Sequence, residues 1–108
     1  MSIKRYIQLL NQSAAGNSKW WDCDVRYEML SDRPIQGTVA SGDTIAIQAI
    51  TKDVKGNDLS FLNTLAASDI TTLATYTSNF NDVIQGNWTY IRVVKTGTSG
   101  TSVVEGFI

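Results

Sequence analysis

Hydrophobic and polar residues alternate along much of this chain with a period of two, the pattern of a half-buried β-strand. The clearest run is residues 20–30, where positions 21, 23, 25, 27 and 29 are apolar and the positions between them are charged. Two further runs, residues 44–54 and 88–95, repeat the pattern. Their predicted inward side chains are Ile45, Ile47, Ala49, Ile91 and Val93. All three runs predict antiparallel strands with a buried inner face and a wet outer face.

Glycine, proline and small polar residues divide the rest of the chain into shorter elements. Further strands are predicted at residues 3–10, 35–39, 70–77 and 101–108, the first of them an edge strand or one that packs on a neighbouring subunit. Turns, loops or polar connections are predicted at residues 11–18, 31–34, 40–43, 55–58, 78–87 and 96–100. Residues 59–67 fit either one or two helical turns or a short strand.

The composition supports a chain made of strands. Threonine and serine are abundant, and the chain has only two glutamates, Glu28 and Glu105, so good helix formers are scarce. About eight strands in 108 residues predict an all-β protein, an antiparallel β-sandwich of jelly-roll-like type. A chain of this length forms one domain, which we expect to span residues 1–108.

Charge and hydropathy exclude several classes of partner. The formal net charge is -1 and the isoelectric point is near 5.1, so there is no basic surface for nucleic acid or an anionic membrane. No apolar run approaches the roughly 20 residues that span a bilayer, and the start of the sequence does not resemble a signal peptide. Cys23 is the only cysteine and is expected to be a buried, inert thiol.

The residue types needed for catalysis or metal binding are thinly represented. The chain has no histidine and no Gly-x-Ser-x-Gly motif, so no nucleophile and base can be paired. Asp22 and Asp24 could form one side of a cation site, but a solvated strand face explains them better. The segment from Asp53 to Asp58 departs from a calcium loop because Lys55 occupies a ligand position. We therefore expect no enzyme, no cofactor and no metal.

An aromatic cluster remains to be explained. Trp20, Trp21, Trp88, Tyr90 and Arg92 could form a sugar-binding platform, a part of the core or the anchors of a protein interface. Successive side chains of a strand point to opposite faces, so Trp20 and Trp21 cannot both enter one core. This argument favours an interface for at least one of the two rings.

The second half of the chain carries a series of motifs in a distinctive order. They are Gly42-Asp43-Thr44-Ile45-Ala46-Ile47, a Thr-rich strand at residues 71–77, a Gly-x-Trp-x-Tyr-Ile-Arg strand at residues 86–92, Thr96-Gly97-Thr98 and Val103-Val104. In this order they resemble the small β-sandwich proteins of tailed-bacteriophage particles, and more distantly discoidin-like modules. The discoidin likeness lacks a second cysteine and recognisable ligand-loop residues.

The resemblance implies a function and an assembly. It implies a structural virion protein made in the host cytoplasm, most simply a capsid decoration (cement) protein that binds the outer shell, contacts the major capsid protein and forms homotrimers. The alternatives are a tail or head-fibre component, or a carbohydrate-binding module of discoidin-like type. The residues predicted to form the subunit or shell interface are Trp20, Trp21, Ile3, Tyr6, Ile7, Trp88, Tyr90 and Arg92.

Overall fold

The computed structural model describes residues 6–23, 32–51 and 60–108, which form two antiparallel sheets packed face to face. The strands are β1 (Tyr6–Gln12), β2 (Gly16–Asn17), β3 (Trp21–Asp22), β4 (Asp32–Thr38), β5 (Thr44–Ile50), β6 (Thr71–Tyr76), β7 (Phe80–Gln85), β8 (Tyr90–Thr96) and β9 (Ser102–Phe107). Two short 3-10 helices, Ser60–Asn63 and Ala67–Asp69, lie between β5 and β6. The all-β prediction is confirmed.

The strand order is that of a jelly roll. The first sheet has the order β1-β9-β4-β7, and the second has the order β2-β8-β5-β6, with β3 also paired to β8. The pairs β1 with β9, β2 and β3 with β8, β4 with β7, and β5 with β6 are nested. The described strands therefore behave as one long hairpin whose arms are rolled into two layers, as in other double-sheet jelly rolls.

Alternating apolar residues of both sheets fill the core between the layers. Ile45, Ile47 and Ala49 of β5 are 0% exposed, and so are Val93 of β8 and Val104 of β9. A fully buried side chain of the valine or isoleucine type contributes about 1.5–3 kcal/mol relative to an exposed one. The predicted inward faces of β5 and β8 are thereby confirmed, and Cys23 is buried as expected.

A break between β2 and β3 shapes one edge of the second sheet. Both short strands pair with β8, but residues 18–20 interrupt the ladder. Ser18 still binds β8 within this break, because its backbone N–H donates to the Val93 carbonyl at 2.8 Å and its hydroxyl accepts from the Val93 N–H at 2.9 Å. This irregularity acts as a bulge, which re-aims the side chains that follow it.

Three sequence-based element predictions are wrong. Residues 31–34 were expected to form a turn because Pro34 lacks an N–H, but Asp32–Thr38 is a continuous strand. The pairing of β4 with β9 begins only at Ile35, so proline lies just outside that ladder.

Residues 78–87, predicted as a polar connection, contain β7. The polar composition misled the prediction because β7 is an edge strand, of which Ile84 alone is buried. Residues 11–18, predicted as a loop, include the end of β1 and all of β2. The ambiguous stretch at 59–67 adopts the helical alternative in its described part, as a 3-10 turn. The predictions for residues 24–30 and 53–58, and for Ile3, lie outside the described residues.

The side of the sandwich between β6 and β7 is closed by a ring stack. Tyr76 and Phe80 are parallel, with ring centroids 3.7 Å apart, and the Tyr76 hydroxyl donates to Asp82 Oδ2 at 2.8 Å. Gly37 leaves room for this arrangement, because a Cβ there would lie 2.5 Å from the Phe80 ring. The two edge strands are thus joined by side chains where no ladder connects them.

Candidate functional site

Two buried cations, one at each end of the sandwich, are the first candidates for chemistry. Lys95 is the last residue but one of β8 and is 1% exposed; Arg33 is the second residue of β4 and is 2% exposed. Burial of a charge is costly unless the charge is paired and hydrogen-bonded, so each needs an explanation.

Lys95 is fully satisfied. Its Nζ lies 2.8 Å from Asp43 Oδ2 and also donates to the carbonyls of Ser13 at 2.9 Å and Gly97 at 2.7 Å. Asp43 Oδ1 accepts from the backbone N–H of Ser99 at 3.0 Å. The cluster ties together the β1–β2, β4–β5 and β8–β9 connections, so its role is structural.

The pKa of Asp43 agrees with a structural role for this cluster. Hydrogen bonds from the Lys95 ammonium and from the Ser99 backbone lower the pKa of Asp43 to about 2, against the opposing effect of burial. Gly97 permits the close approach, since its φ is +98° and a Cβ there would collide with Asp43 Oδ1. A carboxylate held ionised in this way is unsuited to proton transfer near neutral pH.

Arg33 is only partly satisfied. Its Nη1 donates to the Gly86 carbonyl at 3.0 Å, while Nε and Nη2 have no hydrogen-bond partner among the described residues. Trp88 covers the same turn, because its Nε1 donates to the Gln85 carbonyl at 2.8 Å.

An open cleft of about 490 Å³ lies beside the break between β2 and β3. Its lining is Asn17, Ser18, Lys19, Trp20, Leu62, Asn63 and Arg92. Strand β2 supplies Asn17, the break after it supplies three residues, the 3-10 helix Ser60–Asn63 supplies two, and β8 supplies Arg92. The volume falls within the range of small-molecule sites. This Trp20 cleft is the best candidate for a ligand site.

The guanidinium of Arg92 is fixed within the Trp20 cleft. Its Cζ lies 4.5 Å from the centroid of the Trp20 ring, and its Nε donates to Gln48 Oε1 at 2.9 Å. Desolvation lowers the pKa of Arg92, yet arginine remains charged at any physiological pH. Its terminal nitrogens make no hydrogen bond within the described part of the chain.

The second cation of the cleft is also held by an aromatic ring. Lys19 Nζ lies 4.0 Å from the centroid of Trp21, whose Nε1 in turn donates to the Leu9 carbonyl of the other sheet at 3.1 Å. Among the described residues that line the cleft, two are cationic and none is acidic. The described lining of the cleft is therefore positive on a protein whose net charge is -1.

The outer face of the first sheet is a second candidate surface. Tyr6 and Val83 are 48% and 46% exposed, and Tyr6 meets Phe107 edge to face with centroids 5.1 Å apart. Gln36 donates to the Tyr6 hydroxyl at 2.7 Å and separates two shallow hollows of about 230 and 240 Å³. Only Asp32 and Glu105 are charged among the described side chains that point outward there.

The structure does not bring all the predicted site residues together. Trp20 and Arg92 share the cleft, whereas Trp21 and Trp88 pack against the core and Tyr90 is 5% exposed. Trp21 is the first residue of β3, whereas Trp20 lies in the break before it, so the two rings have different surroundings, but strand alternation is not the cause.

Tyr6 lies on the outer face of the first sheet, and Ile7 packs against the core. The role of the predicted residues in a subunit or shell interface stays a prediction.

Several residues of these sites were missed by sequence reasoning. Lys19, Asn17 and Asn63 carry no motif, and only the polar break before Trp20 hinted at an irregular strand. Asp43 was interpreted as a turn residue and Arg33 as part of a turn. Each becomes notable only through a partner far away in sequence, which no local pattern shows.

No cluster of three or more histidine, cysteine or acidic side chains with metal-site geometry occurs within residues 6–23, 32–51 and 60–108. The helices in this part of the chain are too short to cross a bilayer. No family model matches the chain, and no match was found among curated proteins or solved structures.

Proposed function

We propose that the chain is a structural protein of a bacteriophage particle, of the capsid-decoration type, which docks on the shell through the outer face of its first sheet. The observation that carries the proposal is the composition of this face. It is mostly uncharged, it exposes Tyr6 and Val83, and it has two hollows on either side of Gln36. Depletion of charge with aromatic enrichment is typical of the centre of protein interfaces.

The fold supports the proposal by analogy. Double-sheet jelly rolls occur in viral capsid proteins, although also in lectins and cupins, so architecture alone does not select a function. A decoration protein stabilises a shell by adding contact area that must be lost before the shell opens. No catalytic step is part of this function.

Assembly into a trimer belongs to the same proposal. Among the described strands, β1 and β7 are the edges of the first sheet, and unpaired edges favour association. Mass photometry of the isolated chain, and of the chain with empty shells, measures the stoichiometry. A chain that stays monomeric both in solution and on the shell contradicts the trimer, but leaves docking itself intact.

Location and docking are tested separately. Mass spectrometry and cryo-electron microscopy of purified particles are expected to find the chain on the outside of the capsid; density at the tail or a fibre would select that alternative. For docking, Val83→Asp places a charge on the first sheet's outer face. Thr75→Asp, an exposed position of β6 on the other sheet, is the matched control.

In co-sedimentation with empty shells, Val83→Asp should lose binding while Thr75→Asp keeps it. Equal binding by both variants would contradict docking through this face. Absence of the chain from purified particles would contradict the whole proposal.

A further inference from the structure

We propose that the Trp20 cleft binds an acidic saccharide, that is, a sugar unit carrying a carboxylate or sulfate group. This site is separate from the proposed docking face, because its β8 wall belongs to the second sheet, and shell binding assigns it no role.

The positive charge of the residues that line the cleft favours an anionic ligand. Arg92 and Lys19 both line it, and no acidic side chain among the described lining residues neutralises them. The Nε of Arg92 is occupied by Gln48, so the two terminal nitrogens remain as parallel donors. A planar guanidinium with free terminal N–H groups suits a bidentate contact to a carboxylate or sulfate.

Preorganisation strengthens the same argument. Arginine side chains lose rotamer entropy when they bind, and an arginine that is already fixed loses less. The Trp20 ring at 4.5 Å and the Gln48 amide at 2.9 Å hold the guanidinium in place before any ligand arrives. Lys19 is held in a similar way at 4.0 Å from the Trp21 ring.

The remaining lining residues favour a saccharide over a bare anion. Asn17 and Asn63 each offer an amide that both donates and accepts, as the hydroxyl groups of a sugar require. Leu62 and Trp20 supply apolar surface for the carbon-bound faces of a ring. The volume of about 490 Å³ is far more than a bare anion needs.

The test compares three related sugars by isothermal titration calorimetry with the full chain: sialyllactose, sulfated lactose and their neutral parent lactose. We expect at least one acidic sugar to bind about tenfold or more tightly than lactose, because one charge-assisted bidentate contact accounts for that difference. The arm that binds more tightly identifies carboxylate or sulfate as the preferred group. Sodium sulfate at equal concentration measures the contribution of the anion alone.

Four variants test whether the sugar binds in the cleft. Arg92→Met should weaken binding of the preferred acidic sugar about tenfold or more, and Arg92→Lys, which keeps the charge but loses the fork, should weaken it less. Lys19→Met provides a second test at an exposed lysine that lines the cleft. Tyr6→Ala removes an exposed ring outside the cleft and should leave binding unchanged.

Two results would overturn the proposal: acidic sugars that bind no better than lactose or sodium sulfate, and undiminished binding by both Arg92→Met and Lys19→Met with native circular dichroism. Neither result affects shell docking, which is measured with Val83→Asp.

Discussion

Lys95 and Arg33 are two buried cations of one small sandwich, and they differ in how well their donors are matched. The three donors of Lys95 meet three acceptors, one of them the ionised carboxylate of Asp43. Arg33 has five N–H donors on three nitrogens, and only Nη1 has an acceptor, the Gly86 carbonyl, among the described residues. Lys95 is therefore a buried charge whose hydrogen bonds are all satisfied, whereas Arg33 is a buried charge whose hydrogen bonds are mostly unsatisfied by the described residues.

The difference follows from the neighbouring connections. At the Lys95 end, the β1–β2 and β8–β9 connections each bring one backbone carbonyl to the ammonium, and the β4–β5 turn brings the Asp43 carboxylate. Gly42 and Gly97, with φ of +90° and +98°, allow the sharp reversals that this requires. At the Arg33 end, the carbonyl of Gly86, on the turn after β7, is the only acceptor that reaches the guanidinium from the described residues. Mutations at the two ends should therefore have effects of opposite sign.

The largest expected effect is at Lys95. Replacing Lys95 with methionine leaves the Asp43 carboxylate buried without its partner and removes the bonds to Ser13 and Gly97. Removal of one member of a buried pair costs about 3–5 kcal/mol. Urea denaturation measures the free energy of unfolding, with Lys19→Met as the control for loss of an exposed lysine. A decrease of less than about 1 kcal/mol in the free energy of unfolding would mean that the Lys95–Asp43 cluster contributes little to stability.

Gly97 and Gly42 form a matched pair that sharpens the same point. Alanine at either position pays about 1–3 kcal/mol for a left-handed backbone. At Gly97 the added Cβ also collides with Asp43 Oδ1, whereas at Gly42 the nearest atom is the Ser99 hydroxyl at 3.1 Å. Gly97→Ala should therefore lower the thermal midpoint more than Gly42→Ala does. Equal losses would show that backbone strain alone accounts for both.

Arg33→Met should stabilise the protein. Methionine keeps most of the apolar stem and removes two buried nitrogen atoms, Nε and Nη2, that have no hydrogen-bond partner in the described part of the chain. An unsatisfied buried polar group costs about 1–3 kcal/mol, so a gain of that order is expected in urea denaturation. Arg33→Lys retains a buried charge and should give no such gain. A lower free energy of unfolding for Arg33→Met would show instead that the Arg33 guanidinium makes stabilising hydrogen bonds in solution.

The same contrast explains what could be predicted from the sequence. The inward faces of β5 and β8 follow from alternation alone, because Ile45, Ile47 and Val93 repeat every second residue. The separation of Trp20 from Trp21 does not follow from this rule, because Trp20 lies in the break before β3 and not in a strand. The Lys95–Asp43 pair joins residues 52 positions apart, and turn chemistry fully accounted for Asp43. Pro34 made Arg33 look like part of a turn.

Only some residues of the Trp20 cleft could be predicted from the sequence, because the cleft also depends on a contact between residues far apart in the chain. Trp20 and Arg92 were singled out as large or charged side chains on strand faces. What brings them together is the hydroxyl of Ser18, which accepts from the Val93 N–H across the break between β2 and β3. A serine in a polar stretch is typical of a loop. The sequence therefore predicted neither the bulge at residues 18–20 nor the position of the Lys19 side chain in the cleft.

The smallest expected effect is the pH dependence of the Lys95 end. The pKa of Asp43 is about 2 in the folded chain and 3.8 when unperturbed, so the unfolded chain binds more protons between these values. Stability must therefore rise with pH across this window. The contribution of Asp43 is fully present above about pH 4 and is lost as the pH falls towards 2.

Thermal unfolding between pH 2 and 6 tests this contribution. Asp43→Asn removes the titrating group but can still accept a hydrogen bond from Lys95, so its midpoint should fall less steeply than that of the wild type below pH 4. Asp82, whose pKa is also lowered, mainly by the hydrogen bond from Tyr76, titrates in the same direction. Asp82 is exposed and well screened, and Asp82→Asn should keep most of the wild-type slope. If Asp82→Asn flattens the curve and Asp43→Asn does not, acid sensitivity arises at the β6–β7 side of the sandwich and the Lys95 cluster contributes nothing to it.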